Sequence, residues 1–109
     1  MLVTKEGEAP FLEWLESFEN AVKAITAVRR RIVQARLGNL GDWKSVGGNV
    51  NEMRIDVGPG YRVYFAIHRD QVIILLSGGI KSTQSRDIEK AVELWKEYKD
   101  DVERFRRDY

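Results

Sequence analysis

The chain has no cysteine, one histidine, two prolines and no long apolar run in its 109 residues. Without cysteine there are no disulfides, no thiolate zinc sites and no thiol nucleophile. One histidine, His68, excludes a histidine metal cluster, and no metal or other cofactor is expected. The longest apolar run, Val72–Leu76, falls far short of the roughly 20 residues that span a bilayer. The N-terminus lacks a basic-then-apolar leader, so a cytoplasmic protein with no membrane contact is expected. A hydrophobic content of 43% with 32% charged residues suits one globular domain, residues 1–109, with a single core.

The net charge of +1 conceals an uneven distribution. Residues 23–81 carry ten Lys and Arg against four acids, while the remainder carries eight basic and thirteen acidic residues. A basic middle between acidic ends suits a protein that meets a polyanion on one surface.

At the centre of that basic region, Val50–Val57 and Tyr61–Ile67 alternate in character on either side of Gly58-Pro59-Gly60. Such a pattern predicts a β-hairpin with a three-residue turn. Successive strand side chains point to opposite faces. Met53, Ile55 and Val57 therefore share one face with Tyr61, Val63, Phe65 and Ile67. Glu52, Arg54, Asp56, Arg62, Tyr64, Ala66 and His68 fall on the other. Burial of the apolar set would leave two arginines, a tyrosine and a histidine on an open side.

Before the hairpin, Pro10 suits the first turn of a helix, and Phe11, Leu12, Trp14, Leu15 and Phe18 recur at helical spacing over 10–19. Asn20 is a candidate N-cap for a second helix with Val22, Ile25, Val28, Ile32 and Ala35 inward, ending near Gly38. Its exposed side would carry Arg29, Arg30 and Arg31. Gly38–Asn49, with four glycines, reads as a loop pinned by Trp43 and carrying Lys44. Val72–Leu76 reads as a strand and Ser77–Gln84 as a further loop. A last helix would start near Ser82–Ser85 with Ile88, Ala91, Val92, Trp95, Val102 and Phe105 buried. Residues 1–4 allow at most a brief edge strand. The expected class is α+β: two N-terminal helices and a C-terminal helix packed on one face of a small antiparallel sheet.

Several segments, in the same order, resemble one known family. They are Pro10-Phe11-Leu12-Glu13-Trp14-Leu15, Gly38-Asn39-Leu40-Gly41-Asp42-Trp43-Lys44, Glu52-Met53-Arg54-Ile55 and Gly58-Pro59-Gly60-Tyr61-Arg62-Val63-Tyr64-Phe65, then Leu75-Leu76-Ser77-Gly78-Gly79, Lys81-Ser82-Thr83-Gln84 and Asp87-Ile88. Together they are similar to the addiction module killer proteins of the RelE/ParE superfamily, near its HigB-like branch. The family usually has Asp between Gly-Gly and Lys, where this chain has Ile80. The resemblance implies a RelE-like fold and a type II toxin neutralised by a cognate antitoxin, often a helix-turn-helix repressor. It further implies either metal-independent mRNA cleavage on the ribosome or ParE-like inhibition of DNA gyrase without nuclease activity. An inactive member serving only as an antitoxin-bound corepressor is the third alternative.

Metal-free RNA cleavage must deprotonate a ribose 2′-OH, stabilise a crowded phosphorane and protonate the leaving oxygen. Arg62, which follows Gly-Tyr as in the related toxins, is the candidate for holding the scissile phosphate. Arg54 on the same parity would clamp the adjacent phosphate. Lys81 matches a basic position of the related toxins after the last strand. His68 and Tyr64 share the Arg62 parity and are candidates for proton transfer or base stacking. Lys44, Arg29, Arg30 and Arg31 are candidate RNA backbone contacts.

Overall fold

Pro10 opens the first helix, α1 (Pro10–Glu16), in the computed structural model, which describes residues 1–18, 22–70 and 72–107. The expected N-cap Asn20 and the end of the expected first helix, Glu19, lie outside the described residues. Phe11 and Leu15 of α1 are buried, one helical turn apart. In α2 (Val22–Arg36) the buried residues Ala24, Val28, Ile32 and Ala35 keep the same rhythm. Val22 stays exposed at the start of that helix. Gly38, at φ 92°, ends it and donates its N–H to the Ala35 carbonyl at 3.0 Å.

Four strands follow as an antiparallel meander in the order β1 (Trp43–Gly47), β2 (Val50–Ile55), β3 (Tyr61–His68) and β4 (Val72–Ile80). The central hairpin pairs Met53 with Val63 and Ile55 with Tyr61, as the alternation predicts. Two expected loops are strands. Residues 43–47, within the glycine-rich stretch, form β1, because Gly47, Gly48 and Asn49 all adopt positive φ and turn the chain into β2. Ser77-Gly78-Gly79-Ile80 continues β4, since its glycines give way to side chains rather than to a turn. A Cβ on Gly78 would collide with the Trp14 ring, and one on Gly79 with the Asp87 carboxylate. The Gly78→Ala variant is therefore expected to lose about 1–3 kcal/mol through overpacking. Urea unfolding of the variant beside the parent checks this, and an unchanged midpoint would contradict it.

The α+β class with an antiparallel sheet agrees with expectation, but the layering differs. The α1 and α2 helices cover one face, where Phe11, Leu15, Val28 and Ile32 meet Met53, Ile55, Val63, Phe65 and Leu75. The third helix, α3 (Gln84–Tyr98), lies on the opposite face, where Ala91, Trp95 and Tyr98 meet Val50, Tyr64, Ala66, Ile74 and Leu76. The face expected to be open is therefore covered along much of its length. Its own apolar residues require this: Tyr64, Ala66 and Leu76 are completely buried. The apolar character of β4 on both parities has the same origin.

The α3 helix ends at Tyr98, earlier than the apolar spacing suggests. Val102 is exposed in a short 3-10 turn, and Phe105 bridges back to Leu2. The expected N-terminal edge strand is reduced to that bridge, with the Leu2 N–H bonded to the Leu75 carbonyl at 3.0 Å. Among the described residues, no helix is long and apolar enough to cross a membrane.

Candidate nucleic-acid interface

Strand register builds the site. Lys44 of β1 lies opposite Glu52 of β2, which lies opposite Tyr64 of β3; beside this row Arg54 lies opposite Arg62. Directly opposed residues point to the same face. Glu52 is completely buried, yet its carboxylate is well satisfied. Its Oε1 accepts from Arg54 Nε at 3.3 Å and lies 3.8 Å from Arg62 Nε. Its Oε2 accepts from the Tyr64 hydroxyl at 3.2 Å and from Gln84 Nε2 at 2.8 Å. Gln84 is the first residue of α3, so the helix start closes the cluster from above.

Glu52 thus holds two guanidinium groups, whose side chains differ in exposure: 36% for Arg54 and 11% for Arg62. Arg62 Nη1 donates to the Tyr61 carbonyl at 3.3 Å, while its buried Nε has no hydrogen-bond partner. That Nε faces Glu52, so its charge is met by a long ion pair rather than by a hydrogen bond. Lys81 belongs to the same neighbourhood. A Cβ on Gly60 would lie 3.3 Å from Lys81 Cβ and 3.7 Å from Arg62 Nη1, and the Lys81 N–H donates to the Gly60 carbonyl at 2.9 Å. Lys81 is exposed, as is Lys44 on the outer strand.

Tyr64 anchors Glu52 and is itself shielded from solvent. Burial first, then the charge and hydrogen bond of Glu52, push its phenol well above the ordinary 10.0. Above pH 10 an unfolded chain releases this proton while the folded chain keeps it. Folding stability is thus expected to fall as pH rises beyond 10, by at most about 1.4 kcal/mol per pH unit from this group. The Tyr64→Phe variant should lack that component. Denaturation midpoints from pH 9 to 11 measure the difference, and parallel curves for the two proteins would refute it.

The remaining sequence candidates are not gathered here. His68 shares the parity of Arg62 but lies six residues further along β3. Its ring is set at steep angles to Trp95 (84°) and Phe105 (71°), with centroids at 6.4 and 5.2 Å. Arg31 is half-buried rather than on an open helix face. Its Nη2 donates to the carbonyls of Leu40, Asp42 and Arg54 at 3.0, 3.2 and 3.4 Å, pinning the loop before β1. Arg29 and Arg30 are exposed on α2, on the other side of the sheet. Glu52 and Gln84 were not singled out in the sequence: an acid alternating with arginines looks like a solvated strand face. Among the described residues, no group of three or more His, Cys, Asp or Glu could hold a metal ion.

Comparison with known proteins places the chain in a family. An uncharacterized protein of Haemophilus influenzae is 44% identical over 81 residues, which is 74% of this chain and 81% of that protein. No solved structure matches the chain. The model of the family described as phage-derived protein Gp49-like (DUF891) matches residues 13–104, a span that includes every member of the Glu52 cluster. The chain belongs to this Gp49-like family, a toxin-like family of the RelE/HigB type associated with toxin–antitoxin pairs.

Proposed function

We propose that the chain is the toxin of a type II toxin–antitoxin pair and acts in the cytoplasm as a metal-independent, ribosome-dependent mRNA endonuclease. The observation that carries this reading is the Arg62 guanidinium, mostly buried and fixed beside Arg54 by a shared carboxylate. Fixed donors aimed at growing negative charge need no reorganisation during reaction, and this is where electrostatic catalysis is strongest. In this reading Arg62 holds the scissile phosphate and Arg54 the neighbouring one. Lys81 and Lys44, both exposed, guide the RNA backbone in, and Arg29 and Arg30 contact ribosomal RNA or the antitoxin. Glu52, Tyr64 and Gln84 position the guanidinium groups rather than touch RNA.

The ParE-like alternative needs no phosphate cradle, and the paired arginines favour the nuclease. Expression from a tightly controlled promoter, with mRNA 5′ ends mapped alongside plasmid supercoiling, tests the proposal. The expected result is cuts phased to the ribosomal A site with unchanged DNA topology. Intact transcripts with relaxed or broken DNA would establish gyrase inhibition instead. Normal growth with intact transcripts would leave only a corepressor.

A further inference from the structure

Far along the sheet from Arg62 lies a polar hollow of about 550 Å³, between the β1–β2 turn, the end of β3 and the end of α3. Asn49, Asn51, His68, Arg69 and Lys99 line it, with Asp100 as its one carboxylate. We infer that this hollow is a second nucleotide subsite, binding a ribonucleotide base together with its phosphate. The inference rests on the mRNA reading and extends the RNA path from the arginine pair to a defined end.

Three features point to a nucleotide. First, β2 leaves the sheet at the Asn51–Phe65 pair, so Ala66, Ile67 and His68 pair with β4 alone. Their other edge has no strand partner, and Ile67 and His68 border the hollow. Backbone donors and acceptors on such an edge suit the hydrogen-bonding rim of a base. Secondly, His68 is a half-exposed aromatic ring held by Trp95 and Phe105, and the hollow it borders is also lined by Asn49 and Asn51, amide residues that offer donor and acceptor atoms. Thirdly, Arg69 and Lys99 supply positive charge for a phosphate.

Position supports the same conclusion. Six residue steps of β3 separate Arg62 from His68, about 20 Å at strand rise. Tyr64 and Ala66 between them are buried under α3, so an RNA strand joining the two sites runs along the outer strand rather than over β3. There Lys44, exposed and paired with Glu52, presents positive charge on the Arg62 face.

Isotope-labelled full-length chain, titrated by NMR with each of the four ribonucleoside 5′-monophosphates and separately with inorganic phosphate, tests the subsite. These nucleotides contain no phosphodiester bond to cut, so binding is read independently of cleavage. At least one should move the Asn49, His68 and Lys99 amides saturably, about tenfold more tightly than phosphate does. Asn49→Gly, which removes the amide at a position of positive φ, and Lys99→Gln should each weaken binding about fivefold. Equal response to phosphate would reduce the hollow to an anion site. No saturable response, or shifts confined to Arg54 and Arg62, would remove it. Nucleotide binding here with intact cellular transcripts overturns the nuclease reading alone, whereas A-site cutting without a response here overturns the subsite alone.

Discussion

The Glu52→Ala variant is expected to unfold about 3–5 kcal/mol more easily than the parent. Glu52 is fully buried and is the shared acceptor for Arg54, Tyr64 and Gln84, with Arg62 as its ion-pair partner. Its loss strands a mostly buried guanidinium without a counter-charge and removes the acceptor for a buried phenol. Breaking a buried pair from one side costs far more than the pair contributes when intact. Glu52→Gln keeps an acceptor of the same shape and should lose less. Combining Glu52→Ala with Arg62→Met should recover part of the loss, because the uncompensated charge goes with its partner. Urea midpoints for the four proteins check this. A single Glu52→Ala variant within about 1 kcal/mol of the parent would show that the carboxylate does not hold the cluster together.

Arg62→Ala is expected to behave in the opposite way, remaining folded while cleavage falls about 10²–10³-fold. Once Arg62 is gone, Glu52 still has Arg54, Tyr64 and Gln84 as partners, so no buried charge is abandoned. Arg62→Lys should not restore activity. A lysine offers a point charge on a flexible stem where the arginine presents a planar fork fixed by its neighbours. Growth after induction, transcript cleavage and antitoxin binding measured on the same preparations separate the two effects. A soluble, fully toxic Arg62→Ala protein would falsify the assignment of the phosphate-holding role.

The pair of variants also shows which parts of the site were legible in the sequence. The Glu52–Phe65 hairpin, its register and the shared parity of Arg54 and Arg62 follow from alternation around Gly58-Pro59-Gly60, a strong local signal. The proximity of Lys81 to Arg62 entered through family resemblance, because nothing local links residue 81 to residue 62. Parity grouped His68 with Arg62 because it names a face and says nothing of distance along a strand. Glu52 escaped notice because alternation cannot distinguish a solvated acid from one buried under a distant helix. Yet two signals of that helix were present. Val72–Leu76 is apolar on both parities, and Tyr64 and Ala66 break the polar character of the supposed open face. Glycines hid β1 and the second half of β4, since a glycine that makes room for Trp14 reads the same as one that makes a turn.

The contact of two helices with neighbouring residues Gly78 and Gly79 has a consequence for synthesis. The first helix is complete by residue 16, but the notch that receives Trp14 lies more than sixty residues downstream. During translation α1 therefore leaves the ribosome long before its docking site exists, whereas the hairpin bearing the arginines needs only local contacts. The emerging chain presents its cationic hairpin before the helix that seals it, since Gln84 arrives later to join Glu52. A chaperone or antitoxin acting during that interval would meet the guanidinium groups before their protein scaffold has closed over them.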